Sequence, residues 1–423
     1  MKKNNQNNSN QDENSSNENK LTRIEKYLKS KYDFQYNIVY EDTEFRQRGT
    51  EKFSSISERS IAKLRIELTK QGFTGFKGLL DDLLKSDHFC PDFNPFKNYF
   101  QSLPPWDGND YISELLDHVR LEDETQRPWY SLMFRKHLMR TVACSLRILP
   151  FNKQCLVLLG KQNDGKTSFL RFLTPKQLKD YYKENPPLDH KDSILALGKY
   201  FIINIDELHD LGKADANKVK SLFSQAEIKV RAHYASKDSS QARYASFFGT
   251  TNEREFLNDP TGNVRWLVFE VDGFQHDQGG KNGYSQRVNI DNVWAQAYAL
   301  VLKGEACELS SEEIKKVEEA NRSYQRTTSE LDYVSKYIIG SERGMPNTYA
   351  VTSTDILDAI QAVTKTSNKL SSVQIGRALT HLKIKKHPIR LPYQANPTSR
   401  YFVTSNNPDI LNYLAAHVDY IAT

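Results

Sequence analysis

Gly160-Lys161-Gln162-Asn163-Asp164-Gly165-Lys166-Thr167 matches G-x-x-x-x-G-K-[ST], the spacing of a phosphate-cradling P-loop. A short apolar run, Cys155-Leu156-Val157-Leu158-Leu159, precedes it and reads as a strand, while Phe169, Leu170, Phe172 and Leu173 follow at helical spacing. A strand that runs into a helix N-terminus aims backbone N–H groups and the helix's positive end at one point. Gly160 and Gly165 let the backbone turn there and approach phosphates without a Cβ clash. The expected nucleotide-binding set is therefore Gly160, Asn163, Asp164, Gly165, Lys166, Thr167 and Ser168. Lys166 would reach the β- and γ-phosphates of ATP, and the Thr167 hydroxyl would sit on Mg²⁺.

Anhydride hydrolysis also needs a metal-holding acid and a group that orients water. Tyr200-Phe201-Ile202-Ile203-Asn204-Ile205 reads as a buried strand that ends in Asp206-Glu207 and supplies both: Asp206 for the Mg²⁺ shell, Glu207 for the lytic water. A later strand, Tyr244 to Thr250, ends in Thr251-Asn252. The neutral amide of Asn252 suits a γ-phosphate sensor, because it can bond both phosphate and water without adding charge. Arg265 follows the turn-rich Asp259-Pro260-Thr261-Gly262-Asn263-Val264 and is the candidate arginine finger for a neighbouring subunit's site; Arg254 is the competing candidate. Between acids and sensor, Lys229 and Arg231 alternate on one strand face, with Tyr234 and Lys237 beyond. Cations beside a stacking ring make that hairpin the candidate grip on single-stranded DNA.

The rest of the chain bounds this reading. Its 423 residues are 26% charged and 38% apolar, the profile of a globular protein of several domains. The net charge of +5 is mild, so a nucleic-acid partner rests on local patches. No apolar run approaches the roughly 18 residues of a membrane span, and no secretory signal follows Met1-Lys2-Lys3. Cys90, Cys144, Cys155 and Cys307 lie far apart with no C-x-x-C pair, which fits a reduced, cytoplasmic setting.

Residues 1–20 are an Asn-rich polar tail, expected to be disordered. Residues 21–128 read as a mostly helical N-terminal domain: a helix through Ile24, Tyr27 and Leu28, a hairpin over 34–46, a helix capped by Ser57, another from Leu79 to Leu84, and one from Tyr111 to Val119. The core spans 129–305 and opens with a helix from Tyr130 to Leu146, whose Arg135, Lys136 and Arg140 read as a solvated face. Strands separated by helical stretches imply an α/β core with a largely parallel sheet. Residues 306–345 read as a helical lid or linker. Over 346–423, helices near Thr354 and Ser371 precede short strands at Ile384–Ile389 and Arg400–Val403, a winged-helix-like order suited to DNA.

The P-loop, Asp206-Glu207 and Asn252 fall within roughly 100 residues, as in superfamily 3 helicases, a compact branch of the AAA+ class. More closely, the chain resembles the virulence-associated protein E (VirE/VapE-like) family of phages and mobile elements. Leu103-Pro104-Pro105-Trp106-Asp107-Gly108, Gly160 to Thr167, Asn204 to Leu208, Gly249 to Glu253 and Gly262 to Trp266 carry the likeness over about residues 75–305. The family often has two arginines after Gly-Asn; here Val264 precedes the single Arg265. Some relatives carry a primase domain upstream, whereas the region before residue 129 shows no clear acidic metal triad here.

The resemblance implies a Mg²⁺-dependent ATPase and DNA helicase or translocase that serves replication of a phage, plasmid or integrated element. Its expected form is a homo-oligomeric ring, a hexamer, on single-stranded DNA, with the tail recruiting origin DNA and separate primase or replication proteins as companions. The alternative is a regulatory AAA+-type ATPase that oligomerises on ATP and loads or signals without unwinding.

Overall fold

The computed structural model of the protein describes residues 19–187, 190–208, 213–229, 240–257, 263–325, 328–366, 369–390 and 396–418. The polar tail through residue 18 lies outside them, as do Arg231, Tyr234 and Lys237. Two compact units emerge: Met1–Glu207 with Ala214–Thr250 and Leu267–Leu309, and Leu208–Lys213 with Thr251–Trp266 and Ser310–Thr423.

The first unit opens on α1 (Lys20–Lys31), whose first turn is capped by the Asn19 side chain accepting from the Leu21 N–H. β1 (Tyr32–Asn37) and β2 (Asp42–Gln47) form the expected antiparallel hairpin, with Phe34 opposite Phe45. β3 (Ser54–Ser55) extends it, and α2 (Glu58–Lys70) starts where Ser57 accepts from the Ser60 N–H. α3 (Lys77–Lys85) and β4 (Asp92–Phe93) follow, giving a sheet in the order β3-β2-β1-β4. Ile24, Leu28, Leu64, Leu68, Leu80 and Phe89 share its apolar core.

After α4 (Pro95–Ser102), α5 (Tyr111–Asp117) stops two residues short of the expected end, because Val119 enters a strand. That strand, β5 (Val119–Leu121), leads into α6 (Arg127–Ser145), β6 (Cys155–Leu159), α7 (Lys166–Phe172), β7 (Tyr182–Glu184), α8 (His190–Lys199) and β8 (Ile202–Ile205). Then come α9 (Lys213–Ser224), β9 (Glu227–Lys229), β10 (Ser240–Ala242), β11 (Ser246–Thr251), β12 (Trp266–Phe274), α10 (Tyr284–Arg287) and α11 (Ile290–Leu302).

The central sheet has the order β5-β12-β6-β11-β8-β7. β7, β8 and β11 run parallel, while β5 lies antiparallel on β12 at the opposite edge. β6, β8 and β11 are buried from end to end, as a sheet covered on both faces requires. α6 is buried along its whole C-terminal half, so Arg140 is not on the solvated face that its charge suggested. Its guanidinium instead donates to Asn152 Oδ1 at 3.2 Å and to the Cys307 carbonyl at 2.6 Å. Burial without partners would be costly, and those oxygens supply them.

The second unit contains α12 (Ser311–Asn321), started by a capping box in which Ser310 and Glu313 bond each other's backbone N–H. α13 (Ser329–Tyr337), β13 (Ile338–Gly340), β14 (Tyr349–Val351), α14 (Ser353–Thr364), α15 (Ser372–His381), β15 (Lys386–Ile389), β16 (Thr398–Ser405) and α16 (Pro408–His417) complete it. β15 and β16 pair antiparallel as a wing after the α14–α15 pair, giving the winged-helix-like order. Val334, Ile356, Ile375, Tyr401 and Ile410 meet in one apolar core.

Among the described residues no helix is long and apolar enough to cross a membrane. All four cysteines are free thiols.

Candidate nucleotide site

β6 delivers the chain to Gly160, which has no room for a side chain. A Cβ there would lie 2.6 Å from the Val271 carbonyl oxygen on β12. The loop then turns through two left-handed residues, Asn163 at φ 67° and Gly165 at φ 92°, and Gly165 becomes the N-cap of α7. Asn tolerates that region better than most L-residues, and glycine is indifferent to it. The unpaired N–H groups of the first turn of α7 therefore open toward the loop.

Lys166 lies on that first turn and is buried. Its ammonium donates back across the loop to the Gly160 carbonyl at 2.9 Å and to the Lys161 carbonyl. Burial holds its pKa below the ordinary lysine range, against the opposing pull of the Asp164 and Asp206 charges.

Thr167 donates from Oγ1 to Asp206 Oδ1 at 3.1 Å, so the P-loop helix and the acid beyond β8 meet directly. The register explains a second contact. Ile205 stands opposite Gly249 in the parallel β8–β11 pair, and one residue further on Thr250 Oγ1 donates to the same Asp206 oxygen. The Asp206 N–H donates to Asn185 Oδ1 at 2.8 Å. Asn185 follows β7 in a left-handed conformation, φ 42°. Glu207 is exposed, also left-handed at φ 56°, and its N–H points to Thr250 Oγ1 at 3.4 Å. A non-glycine residue in that region carries strain, which concentrates where geometry matters.

A fork ties these parts together. Arg171 on α7 holds Glu184 at the end of β7 through two bonds of 2.6 and 2.7 Å, and Tyr182 donates to the same carboxylate at 2.8 Å. The guanidinium holds the Glu184 carboxyl below the usual carboxylate range. Glu184 directly precedes Asn185, so the fork links the P-loop helix to the residue that accepts from the Asp206 N–H.

Lys166, Thr167, Asp206 and Glu207 are brought to one place with Gly160, Asp164 and Gly165; Ser168 is half-buried on the same turn. Asn252 and Arg265 belong to the second unit, where Asn252 is exposed and Arg265 half-buried at the end of the short Asn263–Arg265 turn. Arg254, the competing arginine, lies 5.8 Å over the Tyr324 ring. Of the DNA-grip candidates only Lys229 falls within a described element, at the end of β9. Sequence reasoning missed Asn185 and the contact role of Thr250. Thr250 stood beside the Asn252 signal, whereas Asn185 follows a three-residue strand too short to show periodicity.

The sheet order and the P-loop define an α/β fold of the P-loop, AAA+-like type. The model of the virulence-associated protein E-like domain family matches residues 100–326, more than half of the 423-residue chain, and the chain belongs to that family. The chain is similar to the apo structure of the NrS-1 C-terminal region, with a TM-score of 0.51 and 11% identity, covering 92% of this chain and 100% of that one. A structure of SCCmec type IV Cch, described as an active helicase, aligns at a TM-score of 0.40 and 9% identity over 90% of this chain and 93% of that one. No curated protein sequence matches it.

Proposed function

We propose that the chain is a Mg²⁺-dependent ATPase that drives a DNA helicase or translocase in replication of a phage, plasmid or integrated mobile element. The observation that carries the reading is the 3.1 Å contact between Thr167 and Asp206 beside the buried Lys166. It brings a phosphate cradle, a cation and a carboxylate to one point.

The donor set fits Mg²⁺. Thr167 Oγ1 and Asp206 Oδ1 are hard oxygens within reach of one ion. Among the described residues no cluster of three or more His, Cys, Asp or Glu would hold a metal alone. A Mg²⁺ ion carried by nucleotide phosphates needs only one or two protein oxygens. When bound, it would neutralise charge developing on the phosphates. Lys166 would shift from the loop carbonyls to the phosphates, and Glu207, exposed at the strand tip, would orient water. Asn252 is assigned to sensing the γ-phosphate and Arg265 to the neighbouring subunit's site, in a ring with single-stranded DNA gripped by the β9–β10 hairpin. The winged tail would engage duplex or origin DNA.

The test pairs two assays. Lys166→Ala should abolish ATP turnover while the fold is retained, checked by phosphate release and a thermal melt; retained turnover would move the chemistry elsewhere. The wild-type chain should displace a strand from a forked duplex when ATP is present. DNA-stimulated turnover without displacement would favour the regulatory ATPase instead.

A further inference from the structure

The second unit carries a groove of about 1190 Å³ between β13, the turn after α15, and β15. Small-molecule clefts measure roughly 300–1,000 Å³ and enclose their ligand, so this open groove is better suited to a segment of polypeptide. Its lining is unusual in two respects. Eight large apolar side chains are exposed among the described residues, and three of them, Ile339 (46%), Met345 (54%) and Leu382 (37%), line this one groove. Its rim carries Arg343, Lys383 and Lys385, all exposed, against the single acid Glu342.

Gly340 shows that the groove is built into the fold. A Cβ at that position would meet the Ile384 side chain at 3.1 Å, so glycine lets β13 and the start of the wing close together. β13 and β15 both pair with β16, through Ile338–Gly340 and Lys386–Ile389 respectively, and the Phe402 side chain between those registers is part of the lining.

We propose that this groove docks an acidic amphipathic segment of a partner protein. Exposed isoleucine, methionine and leucine gain free energy only by burial against apolar groups, which a phosphate backbone does not offer. The basic rim selects acidic flanks and repels basic ones. No residue of α15 lines the groove, so the exposed Val373 and Arg377 on that helix stay available while the groove is filled.

The experiment uses the full chain and a fluorescent synthetic peptide with Leu and Phe on one helical face and Glu on the other. Its control replaces every Glu by Lys. The acidic peptide should bind in an anisotropy titration and the basic one should not. Ile339→Glu, Met345→Glu and the Lys383→Glu/Lys385→Glu pair should each weaken binding tenfold or more. These side chains are exposed, so melting temperatures should stay unchanged, and Arg377→Ala should bind as the wild type does. Three results would overturn the proposal: no binding of the acidic peptide, equal binding of both peptides, or undiminished binding by the groove variants. Loss of duplex-DNA binding in Ile339→Glu, with the peptide unbound, would assign the groove to nucleic acid instead.

Discussion

At Gly160 one methyl group is enough to decide whether the loop closes. The Cβ of an alanine would press on the Val271 carbonyl at 2.6 Å and on Val271 Cγ2 at 2.9 Å, and the carbonyl cannot swing away without moving β12. Gly160→Ala should therefore cost about 1–3 kcal/mol and displace the loop from its phosphate-binding form. A calorimetric melt and an ATP-binding isotherm would show both losses, whereas wild-type values would mean that β12 yields easily. Thr250 acts through a different economy, because its hydroxyl serves two masters: it donates to Asp206 and lies 3.4 Å from the Glu207 N–H as acceptor. Thr250→Val keeps the shape and removes both bonds. Losing a hydrogen bond to a carboxylate should lower kcat about tenfold or more with little change in ATP affinity. Steady-state kinetics separates the two, and a change confined to KM would argue that Thr250 only shapes the binding pocket.

Among the elements, the end of α9 and the chain leading into β6 and β11 are joined by a residue that no motif announces. Arg243 follows β10 directly and is fully buried. It donates to the Leu222, Phe223 and Gln225 carbonyls at the end of α9, to Ala245 before β11 and to Asn152 before β6. A cation suits the negative end of a helix; loss of solvent pulls its pKa down to about 10, and it stays charged at neutral pH. Arg243→Met would strand those oxygens and should cost on the order of 3–5 kcal/mol, read as a fall in the denaturant midpoint. An unchanged midpoint would mean that water replaces the guanidinium. The contrast with the P-loop explains what the sequence can disclose. Gly160 to Thr167 is legible because its turn, its helix start and its cation are written in consecutive residues. The apolar run into Asp206-Glu207 is legible for the same reason. Arg243 joins segments up to 91 positions away, and a lone arginine between two strands has no local signature. β5 was hidden likewise: three residues that continue a helical pattern become a strand only because β12 offers an edge. The burial of Arg140 also follows from neighbours, since the C-terminal half of its helix is buried on every side.

For the whole molecule, the central proposal is that no single chain holds a complete site. A turn-rich loop precedes Arg265, and no second arginine stands beside it to take over. If it completes the neighbouring subunit's site, its loss and the loss of Glu207 are defects in different halves of one interface. Arg265→Ala chains keep an intact Glu207, and Glu207→Gln chains keep an intact Arg265. Each variant alone should turn over little ATP, because every interface in its ring lacks one part. In a random equimolar mixture, about a quarter of the interfaces would pair a sound site with a sound arginine. Activity should therefore rise on mixing toward that fraction of the wild-type rate, and it should follow the mixing ratio through a maximum near equality. The measurement is ATP turnover across a series of ratios, with mixed assemblies verified by differently tagged chains. A flat line at the level of the parent variants, in assemblies proven to be mixed, would confine Arg265 to its own subunit and return Arg254 to consideration.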